Sequence, residues 1–427
     1  MRKKEKKKKV IDFLLIIVVL TGVFSVAHAE EPMSWRDCLR ESAQNHPDLI
    51  AIQEKVIQSQ ADKRIYSSGI FPQLNATLNA STINSSLTGS SSDFGYGVSG
   101  TLLVFDGLQN INNIHAASEN IKAVEENFKF TSASVRFELR QAFVNLLKAQ
   151  ELINLTQAIY QLRKSNLELI SLRYESGTEH KGALLAAKAN LSQAIFEINA
   201  AKRGLTTAQR KLSKELGRAQ FLALVVQGDF EIDENFNTNP DYEKVAEKDP
   251  SLLQITAQKN AAGFAVLTSK GYFLPDVVLN AGAAKSDDHW LPQENDTSVG
   301  IKVSLPIFSG GANVARLSKA RSVYRQLEQT ERSQRDAVIY GLEKSWSDFA
   351  DAFEAVNVQK DFLAASEERA KIAQAQYSVG IISFDNWTII EDDLVSARKT
   401  FLNVQAAALL AQANWIQAQG ETLEYEN

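Results

Sequence analysis

The 427-residue sequence contains one cysteine, Cys38, so no disulfide can form within the chain. Five histidines (His28, His46, His115, His180 and His289) are scattered, with no pair at metal-ligand spacing, no nucleophile elbow and no phosphate loop. Those absences argue against an enzyme and imply no cofactor. After residue 29 no segment approaches 18 consecutive apolar residues, which excludes a further transmembrane helix. Neither glycine nor proline occurs between Leu108 and Ser176. At about 1.5 Å per residue that stretch makes a helix on the order of 100 Å long, which must lie along other helices.

The start of the chain differs in kind. Arg2 to Lys9 are almost all basic, Val10 to Val26 are largely apolar, and Ala27-His28-Ala29 is a small-x-small site. This pattern predicts a secretory signal peptide cleaved before Glu30; an uncleaved anchor is disfavoured because the apolar run is short. The first 29 residues hold seven of the 46 Lys and Arg but two of the 51 Asp and Glu, so the remainder is acidic at −10. An acidic exported chain is a poor candidate for nucleic-acid binding. Cys38 follows Trp35-Arg36-Asp37, not the small apolar residues of a lipoprotein signal, and is expected to be a buried helix thiol.

Landmarks recur at a constant offset of 203 positions. Tyr174 and Gly177 of "LRYESGTEH" are answered by Tyr377 and Gly380 of "AQYSVGIIS", Pro47 by Pro250, Pro72 by Pro275, Phe105 and Gly107 by Phe308 and Gly310, and Gly217 by Gly420. A tandem duplication follows. The expected units are a signal peptide at 1–29, a first repeat at 30–217, a linker at 218–240, a second repeat at 241–420 and a tail at 421–427. Each repeat should hold one helix (about Ser34 to Tyr66, and about Tyr242 to Lys270), two short strands and a long helical hairpin. The returning helices carry apolar residues at 3,4 spacing, from Leu184, Ala187 and Leu191 to Leu212, and from Trp387, Ile390 and Leu394 to Trp415. A seven-residue period of this kind indicates knobs-into-holes coiled-coil packing, which by itself serves equally for a spacer.

The strands alternate. Leu74, Ala76, Leu78 and Ala80 oppose Gln73, Asn75, Thr77 and Asn79; Phe94, Tyr96, Val98 and Leu102 oppose Gly95, Gly97, Ser99 and Thr101. In the second repeat Val277, Leu279, Ala281 and Ala283 share a face, as do Val299, Ile301, Val303 and Leu305. The segments from Ser81 to Asp93 and from Lys285 to Thr297 read as polar loops. Two hairpins could pack their apolar faces into a small sandwich. Alternatively Leu74, Leu78, Tyr96, Val98, Val277, Leu279, Val299 and Ile301 face lipid. Only closed barrels put strands into a bilayer, and about eight strands are needed, so several chains would each contribute four.

Taken together, "SWRDCLRESAQNHPDL", "FPQL" and "FLPDV", "VFDGLQN" and "LPIFSGGAN", and the doubled Tyr-x-x-Gly resemble the TolC-like outer-membrane efflux protein family over roughly Ser34 to Gly420. The resemblance implies a mainly α fold with a small β part. Long antiparallel coiled-coil helices plus four strands per chain complete a trimeric twelve-stranded β-barrel and α-helical barrel. It implies a homotrimer in outer-membrane lipid serving as the exit duct of a tripartite efflux or type I secretion system, with a periplasmic adaptor (membrane fusion protein) and an inner-membrane transporter as partners. The alternative is an exported coiled-coil scaffold or adaptor without a pore. The resemblance further implies adaptor docking at the hairpin tips, Tyr174, Ser176, Gly177 and Thr178 in one copy and Tyr377, Val379, Gly380 and Ile381 in the other. The family's acidic aperture positions fall on Asn386 and Ile389, with Asp385 adjacent, so Asp385 and Asn386 are the candidate gate. Glu391 to Asp393 read as a solvated helix face. Leu103 stands where the second copy has Pro306, which leaves the bend of the first barrel-to-tunnel junction open.

Overall fold

The computed structural model describes residues 32–85, 87, 89–231, 240–290 and 292–423. The expected signal peptide lies outside the described residues. The first repeat runs α1 (Trp35–Asn45), α2 (Pro47–Ser68), β1 (Gln73–Ser85), β2 (Gly89–Asp106), α3 (Gln109–Glu175) and α4 (Lys181–Glu215). The second runs α5 (Tyr242–Ala246), α6 (Pro250–Gly271), β3 (Asp276–Asp287), β4 (Glu294–Ser304), α7 (Ala312–Ser378) and α8 (Phe384–Ala418). Helices α3 and α7 both have 67 residues, and α4 and α8 both have 35. Their ends keep the 203-residue offset.

Two expectations need correction. The first helix of each repeat is broken in two, because a residue before proline is pushed out of the α region. His46 and Asp249 are both extended, and each caps the helix that its proline opens. His46 Nδ1 accepts from the Asp48 amide at 3.2 Å, and Asp249 Oδ1 accepts from the Ser251 and Leu252 amides at 2.9 and 3.0 Å. The supposed polar loops are mostly strand. Pairing continues outward to Ser85↔Gly89 in one hairpin and Ser286↔Glu294 in the other, with Ser and Asn side chains along both strands.

The sheet is an antiparallel meander in the order β1-β2-β3-β4. Its register puts Leu78 opposite Tyr96, Ala76 opposite Val98, Val98 opposite Ala283 and Leu279 opposite Ile301. The apolar positions named above, as far as Val303 on β4, therefore share one face. Pro306 has no amide hydrogen to extend a ladder, and β4 ends at Ser304. At the equivalent place Leu103 lets β2 run on to Asp106, through a bulge between Leu103 and Phe105. The two junctions thus bend differently.

Helix packing follows the same order at two levels. Near the sheet, α2 packs on α3, α3 on α6, and α6 on α7; toward the hairpin tips, α4 packs on α3, α3 on α8, and α8 on α7. The main core sits at the waist between these levels. Leu139, Ala142, Phe143 and Leu146 of α3 meet Cys38 and Leu39 of α1, Leu212 and Leu216, and Leu224 and Val226 beyond α4. Val226 exchanges two hydrogen bonds with Gln150, both 2.9 Å, and forms a parallel bridge with Met33. The described part of the expected linker is thus bound to the first repeat. Cys38 is fully buried here, and burial pushes its thiol up to about 12, so it stays protonated.

Gly217 ends α4 against this waist with φ +73°, and a Cβ there would lie 2.2 Å from the Asn45 carbonyl oxygen. At the hairpin tip Gly177 has φ +75° with nothing within 4 Å of a Cβ. Both substitutions strain the backbone, but only the first also clashes. Thermal unfolding in detergent should show Gly217→Ala costing about 3 kcal/mol or more and Gly177→Ala about 1 kcal/mol; equal losses would overturn this ranking.

Candidate functional site

The tips form because two long helices stop in the same way. After α3, the Thr178 amide donates to the Arg173 carbonyl at 2.9 Å and the Gly177 amide to the Tyr174 carbonyl at 3.0 Å. After α7, the Ile381 amide donates to the Gln376 carbonyl at 2.9 Å and the Gly380 amide to the Tyr377 carbonyl at 3.0 Å. Each is a Schellman motif closed by a left-handed glycine. His180 then caps α4 and Ser383 caps α8 through side-chain acceptors. Ser176 and Thr178 turn back onto the loop, both donating to the Arg173 carbonyl, at 2.9 and 3.0 Å.

Behind the turns the two hairpins share a small core of Ile170, Ala183, Ala187, Ala373, Tyr377, Phe384 and Trp387. Tyr377 is 1% exposed and stacks on Trp387, with ring centroids 4.4 Å apart and planes 8° apart. Arg173 lies over the Tyr377 ring and donates to its carbonyl at 3.0 Å, while the Tyr377 hydroxyl donates to Glu179 at 2.8 Å. Burial, with the adjoining Glu179 carboxylate, holds the phenol above its ordinary range. Tyr377 therefore shapes the tip and is withdrawn from the docking surface expected of it. Its repeat mate Tyr174 stays partly exposed at 39%. The difference lies in the partners: Phe384 and Trp387 are answered in the first copy by Lys181 and Leu184, which make no aromatic slot.

What remains on the surface is Tyr174, Ser176, Gly177 and Thr178 on one turn and Val379, Gly380 and Ile381 on the other. Val379 and Ile381 are 71% and 70% exposed, an apolar pair on the second turn. Asp385 and Asn386 are exposed in the first turn of α8, where a carboxylate also favours the helix N-terminus. The expectation of a solvated face for Glu391 to Asp393 fails at its first residue. Glu391 is buried against Arg163 and Asn166 of α3, while Asp392 and Asp393 stay exposed. Arg163 and Asn166, one turn apart inside an otherwise apolar seam, were the sequence signal for that burial.

At the other end, Leu74, Leu78, Tyr96, Val98, Val299 and Ile301 are exposed, and Val277 and Leu279, on a central strand, are half-buried. The opposite face carries Asn75, Thr77, Asn79, Ser99, Thr101, Asn280, Ser298 and Lys302. Asn79 donates to Asp93 at 2.7 Å across that face. One sheet surface is apolar and the other is mainly polar.

The sequence model of the family described as outer membrane efflux protein matches residues 38–218 and 242–421. Outer membrane efflux protein BepC of Brucella suis biovar 1 (strain 1330) is 21% identical over 95% of this chain and 86% of its own length. Outer membrane protein TolC of Escherichia coli (strain K12) is 22% identical over 67% of this chain and 61% of its own. The crystal structure of the Campylobacter jejuni CmeC outer membrane channel superimposes with a TM-score of 0.82 at 15% identity, over 92% of this chain and 87% of that one.

The stacked core predicts a contrast between neighbours at the tip. Trp387→Ala should cost about 3–5 kcal/mol and open the tip to limited proteolysis. Val379→Ala should stay within about 0.5 kcal/mol of the parent. Similar unfolding curves for the two variants would refute the packing role of Trp387.

Proposed function

The chain belongs to the outer membrane efflux protein family, and from that membership we propose that three copies form an outer-membrane exit duct for a tripartite efflux or type I secretion system. The observation that carries this reading is the sheet: one apolar face, one polar face and two open edges. Four strands cannot enclose a lumen, whereas three copies give twelve, above the practical minimum of about eight. Rotational symmetry would pair β4 of one copy with β1 of the next and leave no edge in lipid. The helices support the same closure. Leu185, Ile195 and Phe196 on α4, and Val358, Phe362 and Ile372 on α7, are exposed on the two outer helices of the layer. Each set would be covered by the other in a neighbouring copy.

The duct does no chemistry. Substrates would pass from a periplasmic adaptor and inner-membrane transporter through the helical tunnel and out through the polar lumen of the barrel. A scaffold without a pore would have no use for a sheet whose exposed face is Leu, Val and Ile. The tips are the docking site in this reading. The exposed Val379 and Ile381, with Tyr174, Ser176, Gly177 and Thr178 on the companion turn, would make the adaptor contact, and Asp385 and Asn386 would face the aperture. Both turns owe their shape to glycines at positive φ, so an adaptor meets rigid knobs.

A double variant, Val379→Asp with Ile381→Asp, should abolish export in a strain that depends on this duct, as read by loss of resistance or of secreted product. Trimers should still form and conduct in planar bilayers, because neither side chain is buried. Full export by this variant would sink the docking assignment.

A further inference from the structure

Above the tips the two hairpins of one chain meet along α3 and α8, and at one level this seam encloses charge. Glu391 of α8 is 4% exposed, and Arg163 and Asn166 of α3 are 7% and 8% exposed. Arg163 Nη1 donates to Glu391 Oε2 at 3.2 Å, and the Asn166 side-chain amide donates to the same oxygen. The other guanidinium nitrogen, Nη2, donates to Asp392, whose side chain is more than half in solvent. One cation thus serves two carboxylates, and only one of these has water to share its charge. With both ionised the cluster carries a surplus negative charge on the buried member, the costly arrangement for a partly dry seam. Burial accordingly pushes the Glu391 carboxyl up to about 7, against the opposing pull of Arg163 and Asn166.

We propose that Glu391 is a protonation-dependent latch between the two hairpins: with its proton on, the α3–α8 seam closes over a neutral carboxyl, and with its proton off, the seam loosens and α8 is freer to move from α3. The inference rests on the duct reading, in which the tips must part to pass substrate. Loss of the charge on Glu391 does not orphan Arg163, which keeps Asp392. Arg163 and Asn166 are the groups that face the carboxyl from α3, and Asp392 stands beside it on α8. From α4, Glu197 lies in the field of Arg163 and is held by Lys399 of α8 at 2.8 Å. From α7, Arg369 pairs with Asp393 at 3.6 Å.

The sign follows from linkage. In the closed seam the carboxyl titrates at about 7; in a loosened, solvated seam it returns toward its ordinary value of 4.5. Between these two pH values the closed form holds a proton that the loose form has released, so acid favours closure. That preference is lost as pH rises through about 7. For a carboxyl that gains full solvation, the ratio of loose to closed forms rises about tenfold between pH 6 and pH 8.

The test is open probability of the purified trimer in planar bilayers from pH 5 to 8. The parent should open about tenfold more at pH 8 than at pH 6. Glu391→Gln should stay at the low level throughout. Asp392→Asn, which leaves Arg163 wholly to Glu391, should move the rise to lower pH, a shift that a merely structural role would not produce. A flat parent profile, or a rise that survives in Glu391→Gln, overturns the latch. Should neither parent nor variants conduct, the duct reading fails. Heat stability in detergent then tests the latch alone: it should fall from pH 6 to 8 in the parent and not in Glu391→Gln, and matching profiles overturn it.

Discussion

The structure depends on two edges that a single chain cannot close. β1 and β4 bound the four-stranded sheet, and each presents a row of backbone donors and acceptors to whatever lies beside it. Water satisfies such a row. Hydrocarbon does not, and each unpaired group there costs several kcal/mol. Leu74, Leu78, Val299 and Ile301 are exposed on one face of this sheet; in the proposed duct that face lies in hydrocarbon, and its edges find strands from other copies. The helices inherit the problem, because α3 occupies an inner position at both levels while α7 and, in turn, α2 and α4 lie outermost. Closure at the sheet and closure of the helical layer are one symmetry operation.

The duplication explains how one chain manages this with so little variety. Both repeats use a proline to restart a helix after a capping residue, a strand pair to cross the membrane, and a left-handed glycine to reverse a 67-residue helix. Where the copies differ in these respects, one or two residues account for it. Pro306 stops β4, whereas Leu103 lets β2 continue. Phe384 and Trp387 bury Tyr377, whereas Lys181 and Leu184 leave Tyr174 partly exposed. The repeats are alike in backbone and unlike in what they put at the tips.

Much of this was legible in sequence because it depends on period. The 203-residue offset locates both tips, the 3,4 spacing identifies the seam, and alternation groups Leu74, Leu78, Tyr96, Val98, Leu279 and Ile301 on one face. What was not legible depends on partners far away in the chain. Polar strand residues such as Thr82 and Ser92 look like loop until they are seen paired across a hairpin. Tyr377 looks like a surface tyrosine until Trp387 lies flat against it. Glu391 looks solvated because its neighbours Asp392 and Asp393 are, and its burial is set by Arg163, 228 residues away. Local pattern assigns a face to a helix, but only packing tells which face another helix will cover.

The distribution of polar contacts in the tunnel then acquires a reason. Within each hairpin the buried seam is largely apolar, as along Ala187, Ala194 and Ala201 of α4, with ion pairs such as Arg369 to Asp393 and Arg398 to Glu367 along its exposed edge. Between hairpins the joints are repeatedly polar: Arg163 to Glu391 and Asp392, Lys399 to Glu197, Arg173 to the Tyr377 carbonyl, and the Tyr377 hydroxyl to Glu179. An apolar seam that opens exposes surface to water and loses about 25 cal/mol for each Å². A hydrogen bond that opens is largely replaced by one to water, with a net loss of only about 0.5–1.5 kcal/mol, or somewhat more when a charge is involved. On the latch reading, polar joints between hairpins part at lower cost than the apolar seams within them. Two apolar clusters also join the hairpins among the described residues: the one around Tyr377 and Trp387 at the tips, and the one that Val144 of α3 makes with Ala406 and Leu409 of α8.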